Sequence, residues 1–262
     1  MQMEKSIKIV AVANCGLLVV SPEAKVLIDG IYQLGILDKA EHLFSSISEE
    51  VMNQIINGQG EFGNIDCLLF THCHYDHFSG VKTGECIGKN NISSILLPED
   101  ESPEVIALKD QGAKSGTEFV TMASPLGIVK EYIIEDISIK YFKSLHCGKN
   151  LSQVKHYCFL LTINDKKIYI SGDADFTNNY QKDMLRDEVI SLAFFNPLSF
   201  NHKSGRNLIN NLNPEKAIMY HVPFEKDDRK GFRRVSEKSI NRFSESLPPC
   251  KIISKQSEIF YI

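Results

Sequence analysis

The sequence has no CxxC pair, no hydrophobic run long enough for a membrane span, no excess of positive charge, and no repeat, linker or low-complexity tract. Each absence closes a class of protein. The seven cysteines (Cys15, Cys67, Cys73, Cys86, Cys147, Cys158 and Cys250) are odd in number and scattered. That pattern excludes a secreted disulfide framework and points to reduced thiols in a cytoplasmic protein. Met1 to Ser6 leads through Glu4 and Lys5 into only a few apolar residues, too short for a signal peptide or a span. A net charge of −4 gives no bulk attraction for nucleic acid, so a small-molecule substrate is expected and no membrane partner. The 262 residues are enough to bury a core without staples, and residues 1–262 read as one domain.

What is present is a succession of short β-type segments followed by alternating strands and helices. Ile7 to Ala13, Leu17 to Ser21 and Lys25 to Asp29 are apolar and β-branched, parted by Asn14-Cys15-Gly16 and closed by Gly30. Ser46-Ile47-Ser48-Glu49 has the capping-box spacing ahead of a helical stripe at Val51, Ile55 and Ile56, which Gly58 and Gly60 end. Ile65 to Phe70 is a continuous apolar run, as expected of a strand covered on both faces. Further strands are expected over Ile92 to Leu97, as a pair within Gly127 to Phe142, and as a hairpin at Tyr157 to Ile163 and Lys167 to Ser171. Others fall at Ser191 to Phe195, Ala217 to Tyr220 and Cys250 to Ile262, with helices over Glu101 to Gln111, Thr177 to Asp187 and Ser236 to Leu247. The order fits an α/β protein with two packed sheets and helices outside.

The chemistry is concentrated at Thr71-His72-Cys73-His74-Tyr75-Asp76-His77, directly after the Ile65 to Phe70 run. In extended chain, residues two apart share a side, so His72 and His74 can converge on one cation. Asp76 and His77 follow where the chain turns, within reach of a second. Imidazole and carboxylate both bind zinc, at about 2.0–2.2 Å. With 8 histidines in the chain, a shuffled sequence would show HxHxDH roughly once in a few thousand arrangements, so coincidence is set aside.

HxHxDH after a strand resembles the signature of the metallo-β-lactamase-fold hydrolases, and the resemblance runs from about Ile7 to His221. It implies a four-layer αββα sandwich and asks for a third histidine, a bridging aspartate and a last histidine, in that order. His146, Asp173 and His221 supply them, each after an expected strand. The resemblance then implies that His72, His74 and His146 hold one metal, that Asp76, His77 and His221 hold the other, and that Asp173 bridges them. Asp175 is the nearest competitor of Asp173. Asp29-Gly30 is similar to the family's first motif, in which the aspartate supports the site without binding metal. Two divalent ions so held lower the pKa of a shared water towards about 7, and Asp76 doubles as base or orienting group. Zinc is the default, with manganese and iron as alternatives for a mixed His/Asp set.

The substrate is less defined. His146-Cys147-Gly148 lacks the His-Thr-Pro-Gly run of the hydroxyacylglutathione and β-lactam branches. The Tyr157 to Asp173 region is more similar to the branch of phosphodiesterases, tRNA 3′-processing nucleases and ascorbate-6-phosphate-type lactonases. An ester, lactone or phosphodiester is therefore expected, with a nuclease or a non-catalytic metal-binding protein as the alternatives. His202 stands in a loop between Asp173 and His221 and is a candidate proton donor. His42 reads as a surface residue, and His156 is given no role. The run from Lys226 to Arg234 has five cations in nine residues and is a candidate contact for a phosphorylated substrate, diluted by Asp227 and Asp228.

Overall fold

The computed structural model describes residues 6–32, 34, 44–148 and 150–262. The expectation for His42 lies outside these residues, as do the first five residues of the N-terminal segment. The elements in order are β1 (Lys8–Ala11), β2 (Leu17–Val20), β3 (Lys25–Ile28), α1 (Glu49–Ile56), β4 (Cys67–Leu69), α2 (Gly80–Ile87), β5 (Ser94–Pro98), α3 (Pro103–Ser115) and β6 (Glu118–Met122). They continue with β7 (Val129–Ile134), β8 (Ile137–Ser144), β9 (His156–Ile163), β10 (Lys166–Ile170), α4 (Tyr180–Met184), β11 (Leu192–Phe195), α5 (Pro197–Asn201), α6 (Lys203–Leu212), β12 (Ala217–Met219), α7 (Phe232–Phe243), β13 (Cys250–Ile252) and β14 (Glu258–Tyr261).

The strands form two seven-stranded sheets, ordered β14-β1-β2-β3-β4-β5-β6 and β13-β12-β11-β10-β9-β8-β7. Three apolar clusters define the layers. Ile9, Leu69, Phe159 and Ile170 belong to the cluster between the sheets. Val51, Leu68, Ile87 and Leu108 seal α1, α2 and α3 onto the outer face of the first sheet. Phe195, Phe200, Ile209 and Leu212 seal α5 and α6 onto the second. Helices outside two stacked sheets make the expected four-layer sandwich.

Local chemistry explains most element ends. Asn164, at φ +53°, starts the two-residue β9–β10 turn, and Glu135, at φ +49°, does the same between β7 and β8. The α1 cap is one residue away from the helix, not three. Ser48, rather than Ser46, accepts the Val51 N–H, and the helix starts at Glu49. The expected helix over Thr177 to Asp187 shrinks to Tyr180–Met184, because Asp175 captures both the backbone N–H and the hydroxyl of Thr177. The last long helix begins four residues earlier than expected, at Phe232.

Strand direction places the site. β3 and β4 are parallel, so Asp29 and the Thr71–His77 segment leave the first sheet at one edge. In the second sheet β10, β11 and β12 are parallel, and β8 regains their direction through antiparallel β9. The residues that follow β8, β10 and β12 therefore emerge together. These are His146, Asp173 and His221. Among the described residues, no helix is long and apolar enough to cross a membrane.

Candidate metal centre

After β4 the chain turns rather than entering a helix at once. His77 and Phe78 both donate their N–H to His74 O, and α2 begins only at Gly80. The turn is pinned from β1–β2, where the Asn14 amide and the Cys15 thiol both donate to Asp76 O, at 3.4 and 3.2 Å. Loops from the second sheet are stitched to one another: Cys147 N–H donates to Asp173 O, and Asp175 N–H to Leu145 O. His221 adopts φ +55°, a strained conformation for a non-glycine residue, and is held there by its N–H bond to Asn14 O.

Two donor sets result. In the first, His72 Nε2 lies 3.1 Å from His74 Nδ1 and 3.3 Å from His146 Nε2. In the second, His77 Nε2 lies 2.9 Å from His221 Nε2, and Asp76 Oδ2 lies 3.3 Å from His221 Nε2. Asp173 Oδ2 stands between the sets, 3.6 Å from His146, 3.6 Å from His77 and 3.5 Å from His221. Ligands at about 2.0–2.1 Å on a tetrahedron are separated by about 3.3 Å, which is the spacing seen here. All seven expected residues are thus brought together. Asp175 is not among them, because its carboxylate is spent on Thr177.

Tautomers follow from the partners. A carbonyl only accepts, so His146 Nδ1–H donates to Cys147 O. The Asp29 carboxylate accepts from the Thr71 hydroxyl at 2.6 Å and from Thr71 N–H at 2.8 Å. Having given its proton to Asp29, the Thr71 hydroxyl accepts from His72 Nδ1–H at 3.0 Å. The Nε2 atoms of His72 and His146 therefore face each other as bare lone pairs across 3.3 Å. Burial pushes the pKa of His72 well down and that of His146 down, and the crowding by His77 adds to this. With no proton between them, two such lone pairs repel, and a cation is the natural occupant of the gap. Asp29 also accepts from His77 Nδ1–H at 2.9 Å, the carboxylate–histidine pairing that orients metal-bound imidazoles.

The carboxylates are ionised. Burial works to raise Asp76, but the hydrogen bond from His221 and the charge of His77 outweigh it and hold the carboxyl at about 2. Asp173 is likewise held well below the carboxylate range, with burial overcome by His221 and His77. Burial alone would depress His77, yet the neighbouring Cys15 and Asp29, with hydrogen bonds to Asp173 and Asp29, leave its pKa raised.

Three contributors escape sequence reasoning. His156, fully buried, accepts the Asp173 N–H on Nε2 at 2.9 Å, while its Nδ1 meets the Ser144 hydroxyl at 2.7 Å. Gly172, at φ +54°, has no room for a Cβ against that same His156 ring. Cys15 lies beside His77 and His221, and burial pushes its thiol up to about 12, so it stays a protonated donor. Their partners lie 12 to 206 positions away, a separation that no local spacing signals. His202 is placed elsewhere: it caps α6, is exposed, and stacks at 5.6 Å on Phe176. Among the described residues it has no hydrogen bond or ring contact with the cluster.

Solved structures share this fold across nearly all of the chain. Igni18, a metallo hydrolase from Ignicoccus hospitalis, has a TM-score of 0.61 at 14% identity, with 98% of each chain covered. Yeast PDE1 has a TM-score of 0.61 at 12% identity, covering 97% of this chain and 99% of its own. The diiron β-hydroxylase CmlA from Streptomyces venezuelae has a TM-score of 0.64 at 11% identity, over 100% of this chain and 55% of its own. The fold is that of the metallo-β-lactamase superfamily. The chain spans about half the length of CmlA. No family model matches the sequence, and no curated protein matches it. In this metallo-β-lactamase fold, the two donor sets sit where both sheets end together.

Proposed function

We propose that the chain is a metal-dependent hydrolase with a dinuclear centre. His72, His74 and His146 would hold one ion, Asp76, His77 and His221 the other, and Asp173 would bridge them. The observation that carries this reading is the pair of bare imidazole nitrogens, His72 Nε2 and His146 Nε2, aimed at each other with the Nδ1 of both rings already assigned as a donor. When bound, a divalent pair supplies Lewis acidity and activates water near neutral pH.

The chain's own residues do the rest. Asp29 and Thr71 fix the ring orientation of His72 and His77, so the donors are set before any ion arrives. Asp76, ionised and hydrogen-bonded by His221, can take a proton from a nucleophile or orient it. Access runs past His74, the least buried histidine of the cluster, through a cavity of about 450 Å³ lined by Cys73, Glu99, Asp100, Glu101 and Lys155. Three consecutive carboxylates there disfavour a polyanion such as nucleic acid. That supports a small ester, lactone or phosphodiester as substrate. Zinc suits the donor set, and the likeness to diiron CmlA keeps iron as the second candidate. Seven unpaired cysteines support a reducing compartment, the cytoplasm.

The test is metal analysis of the purified protein followed by a panel of activated esters, lactones and phosphodiesters. About two ions per chain and turnover of at least one class are expected. A fully loaded protein inert on the whole panel would sink the hydrolase reading and leave a metal-binding one.

A further inference from the structure

A second cavity, about 1110 Å³, opens on the other side of the cluster. One aromatic layer separates it from the second donor set. Phe44, in its wall, meets the His221 ring edge-on at 4.3 Å, and Phe224, also in the wall, lies three residues past His221. The wall is braced from within. Ser45 donates its hydroxyl to Asp227 at 2.7 Å and accepts the Phe224 N–H at 2.8 Å, while Tyr32 donates to Ser45 O at 2.7 Å.

The cavity's charge opposes that of the chain. Lys226, Arg229, Lys230 and Lys255 line it against Glu225 and Asp227, in a protein of net charge −4. Asp227 is already engaged by Ser45. Among the described residues the side chains of Lys226, Arg229 and Lys255 have no ionic or hydrogen-bond partner, and Gln256, also in the wall, has its amide Nε2 buried and unpaired. The basic run is therefore divided in purpose. Arg233 is a structural member, buried and donating to Pro223 O, Ile253 O and Glu237. Arg229 and Lys226 instead face a space that already has an apolar floor of Phe44, Ile47 and Phe224.

We infer that this cavity binds an anionic group, a phosphate or a carboxylate, carried on an apolar part of the substrate away from the bond that is cleaved. The inference rests on the hydrolase reading for the word substrate, but the binding itself does not. Unpaired cations beside an aromatic floor, next to the donor set and outside it, suit a ligand with an acidic end and a hydrophobic body. The acidic approach beside His74 and this basic chamber would then orient such a molecule across the cluster.

Phenyl phosphate and benzoate are suitable probes, titrated calorimetrically into the metal-loaded protein. The comparison is with an Arg229→Ala/Lys255→Ala double variant, both positions being exposed, and with Lys182→Ala, an exposed cation on α4 that lines neither cavity, as a control. The double variant is expected to bind at least one probe about tenfold more weakly or worse, and Lys182→Ala to bind as the parent does. Loss for phenyl phosphate alone assigns a phosphorylated substrate, loss for benzoate alone a carboxylate, and loss for both an unselective oxyanion site. Parent-like binding by the double variant, or no binding of either probe by the parent, overturns the proposal. Absence of turnover with the binding difference intact would count against the hydrolase reading only.

Discussion

His156 Nε2 accepts the backbone N–H of Asp173 at 2.9 Å, and Gly172 between the strand and Asp173 leaves space for that ring. The Asp173 carboxylate thus owes its position to a buried imidazole that offers the cluster no donor atom. Replacing His156 by Ala orphans a buried N–H, at a cost of about 1–3 kcal/mol. Metal affinity is expected to fall about 10–100-fold, as for other groups that orient a ligand. His156→Gln, which keeps an acceptor on a side chain of similar length, should recover much of it. Metal titration of the two variants checks this. Equal affinities in parent, His156→Ala and His156→Gln would show that the bond does not position Asp173.

Asp173→Ala should lose at least about a hundredfold in metal affinity, whereas Asp175→Ala should retain both ions. The reason is geometric. Asp173 Oδ2 lies within 3.6 Å of three imidazoles from both donor sets, whereas the Asp175 carboxylate is closed on Thr177. Elemental analysis after dialysis distinguishes them. The same metal content in both variants would remove the bridging role.

Chelation is expected to abolish turnover and to lower the thermal midpoint, since the metal-free cluster leaves facing lone pairs and carboxylates uncompensated. Zinc or manganese added back should restore both properties. A midpoint unchanged by chelation would mean that the cluster is stable without cations, against the argument from His72 and His146.

Glu188 ties two elements through Lys140 at 2.8 Å and through Lys167. Its pKa is lowered from the ordinary 4.5: burial opposes the shift, and the hydrogen bonds from the two lysines outweigh it. A depressed carboxyl stabilises the fold above its unfolded value and loses that contribution as pH falls through the folded one. Glu188→Gln should therefore lower the midpoint by about 2–4 °C at pH 7 and low salt. The gap to the parent should close as pH drops below 4.5. A gap that persisted unchanged into acid would assign the loss to packing instead of charge.

The four ligands of the HxHxDH run were legible because they are adjacent in sequence and follow a strand, so residue type and spacing coincide. His146, Asp173 and His221 were legible as residues at strand ends, but their meeting depends on β8, β10 and β12 running the same way, which one sequence does not state. His156, Cys15 and Gly172 were missed as supports because each acts on a partner that only tertiary structure brings near. The α4 overestimate has the opposite cause. Its composition is helical, and one side chain, Asp175, takes the backbone donor that the first turn would have used. The basic run shows the limit of composition most clearly: identical residue types serve as an internal brace at Arg233 and as an open wall at Arg229.

The pairing of β14 with β1, Lys8 opposite Tyr261, has a consequence for how the chain is made. In the first sheet β1 is completed by a strand synthesised more than 240 residues later. Until then β1 presents an open edge to every nascent neighbour, with the apolar residues Ile9 and Val10 within it. At about 5–20 residues per second, that exposure lasts on the order of ten seconds or more. Holdase demand in the cell, and a tendency to self-associate through β1 when the final strand is truncated, follow from this one long-range pairing.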